Sequence, residues 1–211
     1  GLEEYATLCG RLHRVQFRPI LHGWCSWFYT RIQATEAEQL RNAAFIAQQL
    51  KPYGMQWVQI DDGYQRAFGD WEANELYPHG MAWLATEIRR LGLQPGIWLA
   101  PYAVSEHASL VQTHPEWLAH DADGNLQTTA STRGVRYMLD ISHPGARQWL
   151  RELIHTIVDV WGYHFIKIDF VEWTLLAIER YYDPTVSRAQ AYRLGVEIMR
   201  AALGPQRHLL E

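Results

Sequence analysis

Two charged side chains interrupt an otherwise apolar segment late in the chain, which reads Phe165-Ile166-Lys167-Ile168-Asp169-Phe170. Because successive side chains of a strand alternate between its faces, we expect Lys167 and Asp169 on one face and Ile166, Ile168 and Phe170 on the other. An unpaired charge is costly to bury, so this placement indicates a lysine that stabilises an ionised carboxylate beside a polar cavity. A structural ion pair without any functional role explains the same pattern.

Further carboxylates and indole rings stand at the ends of other strand-like segments. Asp61 and Asp62 end one apolar run, and Trp27 and Trp98 lie at the ends of two more. Carboxylates accept hydrogen bonds from hydroxyl groups, and aromatic rings stack on the C–H face of a sugar, so this clustering predicts a carbohydrate site. Each feature has a plainer explanation as well, since Asp62-Gly63 is a common turn pair and most tryptophans belong to the core.

These residues need a scaffold that brings strand ends together. Apolar runs alternate with amphipathic segments, which predicts a parallel α/β sheet with crossover helices. The predicted strands are 21–27, 57–61, 96–99, 165–169 and a fifth from 208. Two predicted helices begin at the caps Thr35 and Ser142, and two more span about 80–91 and about 187–203. Residues 101–141 break the alternation and predict a long loop with a small hairpin around Asp123-Gly124.

This spacing of strands and helices is typical of a (β/α)8 TIM barrel, whose active site lies at the carboxyl ends of the strands. The 211 residues therefore predict a single domain, 1–211, that holds about the first five strands and four helices, a half-barrel. An open doubly wound sheet is the alternative. No glycine-rich phosphate-binding motif follows any predicted strand, which favours the barrel.

Composition narrows the classes of protein. Hydrophobic residues make up 48% and charged residues 20% of the chain, as in a folded globular protein. The net charge of -4 is spread without long runs of one sign, so we expect no nucleic acid partner. The apolar runs are too short for a membrane partner or a secretory signal. Two cysteines, Cys9 and Cys25, fit a cytoplasmic protein, and the histidine spacings predict no metal site.

Five motifs in order resemble the catalytic domain of α-galactosidases of glycoside hydrolase family thirty-six. They are Gly23-Trp24-Cys25-Ser26-Trp27, Gln59-Ile60-Asp61-Asp62-Gly63-Tyr64, Gly69-Asp70-Trp71, Gly96-Ile97-Trp98-Leu99-Ala100-Pro101 and Lys167-Ile168-Asp169-Phe170. The resemblance implies a (β/α)8 barrel, with the family's flanking β domains lying outside this chain. It also implies a hydrolase of terminal α-galactosides of the melibiose and raffinose type, acting in carbohydrate metabolism without a cofactor.

The resemblance also implies roles for individual residues. Asp169 would be the nucleophile of a retaining mechanism, and Lys167 would bind sugar hydroxyls. Asp61 and Asp62 would hold the galactose 4- and 6-hydroxyls, while the rings of Trp27 and Trp98 would line the sugar pocket. The family's acid/base aspartate belongs to a later strand, beyond this chain.

Two alternatives therefore stay open at this point: a catalytically silent half-barrel fragment, or a raffinose-synthase-like α-galactosyl transglycosylase. Unpaired strand edges of a half-barrel also predict a homo-oligomer.

Overall fold

A five-stranded parallel sheet forms the centre of the protein. The computed structural model describes residues 1–12, 20–131, 134–172 and 178–210. In chain order the described strands are β1 (Gly23–Cys25), β2 (Trp57–Ile60), β3 (Gln65–Ala67), β4 (Asp70–Ala73), β5 (Gln94–Leu99), β6 (Ala103–Ser105), β7 (Thr128–Ser131), β8 (Gly134–Met138), β9 (Phe165–Ile168) and β10 (His208–Leu210).

One helix precedes the parallel strands, and the other helices lie between them in the chain. They are α1 (Leu2–Leu12), α2 (Trp27–Thr30), α3 (Glu36–Phe45), α4 (Met81–Arg90), α5 (Ser109–Thr113), α6 (Pro144–His155) and α7 (Arg188–Leu203). π-Helical turns at Ile46–Leu50 and Thr156–Val160 continue α3 and α6. The alternation of strand and helix that the sequence predicts is confirmed.

The parallel sheet has the order β1-β2-β5-β9-β10, so its strands lie side by side in the order in which the chain makes them. A doubly wound sheet reverses its strand order at a switch point, and the described strands have none. The sheet is not closed into a barrel by the residues that the structure describes. What the structure shows is therefore an α/β fold with an open parallel sheet.

Side chains on one face of this sheet meet across several strands. The ring centroid of Trp57 on β2 lies 5.8 Å from that of Phe165 on β9 and 5.5 Å from that of His208 on β10. In a flat sheet β2 and β10 would be about 14 Å apart, because neighbouring strands are about 4.8 Å apart. Gly96 leaves room for this packing, since a Cβ atom there would overlap the Phe165 ring. The sheet is therefore strongly curved, with these rings on its concave face.

The convex face of the sheet packs against the helices and forms the main core. Its fully or almost fully buried side chains are Val58, Ile60, Ile97, Leu99, Ile166 and Ile168. The helices that cover them begin at defined caps. Thr35 and Glu38 form the predicted capping box at α3, and Ser187 and Gln190 form another at α7.

Two predicted element boundaries are wrong. The first strand ends at Cys25 rather than at residue 27, because Ser26 has helical backbone angles and Trp27 begins α2. The cap of α6 is His143 rather than Ser142, since the His143 ring accepts the Gly145 N–H. The Ser142 hydroxyl accepts the backbone N–H of Asp183 instead.

Residues 101–141 contain more regular structure than the sequence predicts. Strands β6, β8 and β7 form a three-stranded antiparallel sheet in that order. Earlier in the chain, β3 and β4 form a hairpin that was not predicted either. The predicted turn around Asp123-Gly124 is present between the bridged residues His120 and Leu126. The Asp121 carboxylate holds it by accepting two backbone N–H groups, those of Asp123 and Asn125.

Candidate active site

Polar side chains gather at the carboxyl edge of the parallel sheet. Cys25 ends β1, Asp61 directly follows β2, and Asp169 directly follows β9. Trp98 of β5 and Lys167 of β9 are register partners near the same edge. Because these strands are parallel, their carboxyl ends lie along one edge, where parallel α/β proteins bind ligands.

Asp61 is the best-connected residue of this edge, and it is only 3% exposed. Its Oδ2 accepts hydrogen bonds from Gln59 Nε2 at 2.6 Å, Lys167 Nζ at 3.0 Å and Cys25 Sγ at 3.3 Å. Its Oδ1 accepts the backbone N–H of Asp62 at 2.9 Å. Its own backbone N–H donates to the Ser26 hydroxyl at 3.0 Å, which ties the end of β2 to the start of α2.

Lys167 forms its ion pair with Asp61, rather than with Asp169 as the sequence suggests. The two partners are 106 residues apart in the chain, on strands that have β5 between them. The curvature of the sheet allows the long lysine side chain to cross its concave face. The Lys167 side chain is 26% exposed, so the ion pair is not fully buried.

Asp169 is half-buried and held by other partners. Its Oδ2 accepts the indole N–H of Trp98 at 3.0 Å, and its Oδ1 accepts the backbone N–H of Phe170 at 2.9 Å. Its backbone N–H donates to Leu99 O at 2.9 Å, so the end of β9 stays bound to β5. Phe170 has a φ of 53°, a left-handed conformation that is uncommon outside glycine. Such backbone angles are frequent at functional sites.

Asp62 lies in a tight turn and is 5% exposed. Its Oδ1 accepts Gln65 Nε2 at 2.7 Å, and Gln65 Oε1 accepts the backbone N–H of Gly63 at 3.1 Å. Gly63 has a φ of 118°, and a Cβ atom there would lie 2.7 Å from Ile32 Cα. The turn explanation for Asp62-Gly63 therefore holds for the backbone, while the carboxylate stays on the same loop as Asp61.

We expect Gly63→Ala to lower the free energy of unfolding by about 3 kcal/mol or more. The unfavourable φ and the overlap with the Ile32 backbone both contribute, at about 1–3 kcal/mol each. Gly54→Ala is the matched control, because Gly54 has a φ of 97° but nothing within 4 Å of its missing Cβ. It should cost only about 1–2 kcal/mol. Urea denaturation of both variants checks the difference, and equal costs would contradict the close approach of Gly63 to Ile32.

The two predicted tryptophans lie in different surroundings. Trp98 is 1% exposed and packs against Phe68, Trp71 and Phe170, with ring centroids 5.5, 6.1 and 6.2 Å away. Because the ring is buried among these neighbours, Trp98 contacts Asp169 through its indole N–H. Trp27 is half-buried on α2, where the Arg31 guanidinium lies 5.7 Å from its ring centroid.

Two further residues of this region were not predicted to belong to the site. Cys25 is half-buried, and its place beside Gln59 in the register puts it next to Asp61. Arg136 of β8 is 5% exposed, and its guanidinium carbon lies 3.9 Å from the Phe68 ring centroid. No local motif marks Arg136, because the antiparallel sheet that carries it was not predicted.

Burial changes the acid–base chemistry of two groups near Asp61. Burial, and next the charge of Asp61, raise the pKa of the Cys25 thiol to about 11. Burial also raises the pKa of Tyr64 well above its usual value, and its hydroxyl donates to Trp98 O at 3.1 Å. Both groups are therefore neutral hydrogen-bond donors at physiological pH.

A metal site or a membrane-spanning helix would indicate other functions. Within the described residues, no group of three or more histidine, cysteine, aspartate or glutamate side chains could hold a metal ion. None of the described helices is long and apolar enough to cross a membrane.

Carboxylates, a paired lysine and buried indoles at the carboxyl edge of a parallel sheet are the chemistry of a carbohydrate-active α/β enzyme. The melibiase family model matches residues 8–204, and the chain belongs to this family of α-galactosidase glycoside hydrolases.

Curated relatives and solved structures agree with this assignment. α-Galactosidase AgaA of Geobacillus stearothermophilus is 35% identical over 127 residues, which cover 56% of this chain and 17% of AgaA. An A type blood α-D-galactosamine galactosaminidase of Flavonifractor plautii is 26% identical over 72% of this chain and 16% of its own length. The structure of the Thermus thermophilus α-galactosidase TtGalA with p-nitrophenyl α-D-galactopyranoside has a TM-score of 0.79 and 32% identity, covering 93% of this chain and 39% of that one. The chain thus spans less than a fifth of these curated relatives.

Proposed function

We propose that this chain provides the nucleophile and much of the sugar-binding surface of a retaining α-galactosidase, with Asp169 as the nucleophile. The observation that carries the proposal is the placement of Asp169 at the carboxyl end of β9, where Trp98 holds one oxygen. The Asp61–Lys167 pair lies along the same edge. The ligands of related structures support the substrate class, since TtGalA was solved with stachyose and Geobacillus AgaA with raffinose.

The remaining candidate residues receive roles in binding. Asp61 and Asp62 accept hydrogen bonds from the galactose 4- and 6-hydroxyls, because an ionised carboxylate only accepts. Lys167 donates to a sugar hydroxyl while it keeps Asp61 ionised. Trp27 offers a ring face to the sugar, and the buried Trp98 supports the pocket from beneath by orienting Asp169.

The mechanism is a double displacement. A lone pair on an Asp169 carboxylate oxygen attacks the anomeric carbon. The bond between that carbon and the aglycone oxygen breaks, and the aglycone oxygen takes a proton from a second carboxyl group. That second group lies about 5–5.5 Å from the nucleophile in retaining enzymes, and it then deprotonates the water that releases the sugar. We assign this acid/base role to no described residue, and no cofactor takes part in the scheme.

The open sheet is proposed to be the first five strands of a (β/α)8 barrel. Its unbroken strand order and its curvature support this architecture. The segment 1–211 would then be the N-terminal half of the catalytic domain. A complete barrel would bring the acid/base group to the edge that carries Asp169.

Hydrolysis of nitrophenyl glycosides tests the function. We compare this chain with a polypeptide that extends it through the remaining strands of the proposed barrel, called the extended enzyme below. The extended enzyme should hydrolyse p-nitrophenyl α-galactoside and release α-galactose first, as retention requires. Release of β-galactose first would contradict the mechanism, and inactivity towards the α-galactoside would contradict the substrate class.

Two outcomes of the same assay identify the alternatives. Activity of the extended enzyme without activity of the chain alone would make this chain a silent half-barrel. Transfer of galactose to an added sugar acceptor in preference to water would indicate an α-galactosyl transglycosylase.

We also propose that the chain on its own forms a homo-oligomer. Strand β10 lies at an edge of the sheet, and a groove of about 740 Å³ runs between it and α7, lined in part by Ile168, Val196 and Leu209. An uncovered strand edge favours pairing with a second copy. Light scattering after size exclusion at micromolar concentration should give at least twice the monomer mass, and a monomer would contradict the proposal.

A further inference from the structure

Cys25 is a half-buried nucleophilic group that the proposed mechanism does not use. Its Sγ atom lies 3.3 Å from Asp61 Oδ2, and the thiol must be the donor because an ionised carboxylate has no proton to give. In the register of β1 and β2, Cys25 stands beside Gln59. The thiol and the Gln59 amide therefore approach the same oxygen from neighbouring strands.

The donors around Asp61 are divided unequally between its two oxygens. Cys25, Gln59 and Lys167 donate to Oδ2, and the backbone N–H of Asp62 donates to Oδ1. Each oxygen offers about two lone-pair sites, so the Oδ2 donors fix the orientation of the group while Oδ1 keeps a site for a sugar hydroxyl. Only Lys167 brings a positive charge. Cys25 and Gln59 thus orient the carboxylate without neutralising it further.

The protonation of Cys25 suits this contact. Burial and the neighbouring Asp61 raise the pKa of the thiol to about 11, while Lys167 acts in the opposite direction. The sulfur therefore keeps its proton at neutral pH and can donate it. A thiolate at this position would instead repel the carboxylate.

We propose that Cys25 is a positioning residue of the galactoside site, whose thiol holds the Asp61 carboxylate in the orientation that binds sugar hydroxyls. This inference rests on the function proposed above and deepens it. Cys25 acts only through Asp61 and takes no part in bond making or breaking. Serine, which keeps a hydroxyl donor in a similar volume, is its closest replacement.

Alkylation of the thiol tests the contact without any need for turnover. In a Cys9→Ser background, Cys25 is the one thiol, and its thiolate displaces iodide from iodoacetamide. Asp61→Asn removes a negative charge and so lowers the thiol pKa, whereas Lys167→Met removes a positive charge and raises it. Below the pKa, the alkylation rate should rise about three- to tenfold in the first variant and fall by a similar factor in the second.

The matched control is Asp123→Asn, since this exposed carboxylate lies in the turn between His120 and Leu126, away from the Asp61 site. It should leave the rate unchanged, and circular dichroism confirms that each variant is folded. If Asp61→Asn does not fold, the test uses the pH dependence of the alkylation rate in Lys167→Met. Equal rates in all variants, or shifts of the same sign for Asp61→Asn and Lys167→Met, would overturn the proposal.

Kinetics of the extended enzyme test the positioning role itself. Cys25→Ser should keep kcat/KM within about threefold, while Cys25→Ala should raise KM about three- to tenfold with a smaller change in kcat, as for loss of one neutral hydrogen bond. Wild-type KM for Cys25→Ala would sink the inference while leaving the galactosidase proposal intact. An extended enzyme without galactosidase activity would remove the function, while the alkylation result would still report the contact.

Discussion

Replacing Asp169 by asparagine is expected to lower kcat of the extended enzyme on p-nitrophenyl α-galactoside by at least about 10³-fold, because a reaction that loses its nucleophile keeps only binding and positioning. Asparagine has nearly the shape of aspartate, and its amide oxygen can still accept the Trp98 indole N–H seen at 3.0 Å. The amide nitrogen cannot accept the backbone N–H of Phe170, so the free energy of unfolding should fall by about 1–3 kcal/mol while the protein stays folded. Initial rates and thermal unfolding of the same preparation measure both effects.

Two controls show that the loss belongs to this carboxylate. Asp123→Asn neutralises an exposed carboxylate in the turn between His120 and Leu126 and should leave kcat unchanged. Asp169→Ala with added azide should regain activity, since azide can attack the anomeric carbon and give galactosyl azide of inverted configuration. A loss in kcat below about tenfold would be inconsistent with a nucleophile.

Asp61→Asn should reduce both substrate use and stability. A hydrogen bond to a charged group contributes about 1.5–3 kcal/mol, so loss of charge at a residue that binds sugar hydroxyls should lower kcat/KM by about 10- to 150-fold. The ammonium group of Lys167, 3.0 Å from Asp61, loses its ionic partner at the same time. Since Lys167 is 26% exposed and partly hydrated, the cost should be about 1–3 kcal/mol rather than that of a fully buried pair.

A double variant separates the two effects. Adding Lys167→Met to Asp61→Asn removes the unpaired charge, so the free energy of unfolding should recover while kcat/KM stays low. The interaction energy from this cycle should be about 0.5–3 kcal/mol. Additive stability changes would show that the Lys167–Asp61 contact at 3.0 Å contributes nothing measurable. Recovery of kcat/KM in the double variant would contradict a binding role for Asp61.

Local patterns in the sequence predict much of the fold. The Thr35–Glu38 capping box marks the start of α3 because both side chains act within one helical turn. The position of Asp61 just after β2 follows from the apolar run before it and the turn after it. Together such signals predict an α/β chain with its carboxylates at strand ends.

Contacts between distant segments could not be predicted in this way. Nearness in the chain suggested that Lys167 pairs with Asp169, but the curved sheet brings Asp61 closer, across β5. The contact between Cys25 and Asp61 likewise depends on the register of β1 and β2. Strand β6 pairs with β8 some thirty residues further along the chain, and its short, mixed composition gives no periodic signal.

Trapping of the glycosyl-enzyme tests the central claim most directly. The extended enzyme is incubated with 5-fluoro-α-D-galactopyranosyl fluoride, whose fluoride leaves without protonation, so that labelling depends on the nucleophile rather than on the acid/base group. Peptide mass spectrometry should then find one fluorogalactosyl group on Asp169, and the Asp169→Asn variant should stay unlabelled. A sugar bound covalently to any other residue, or equal labelling of the variant, would contradict the account.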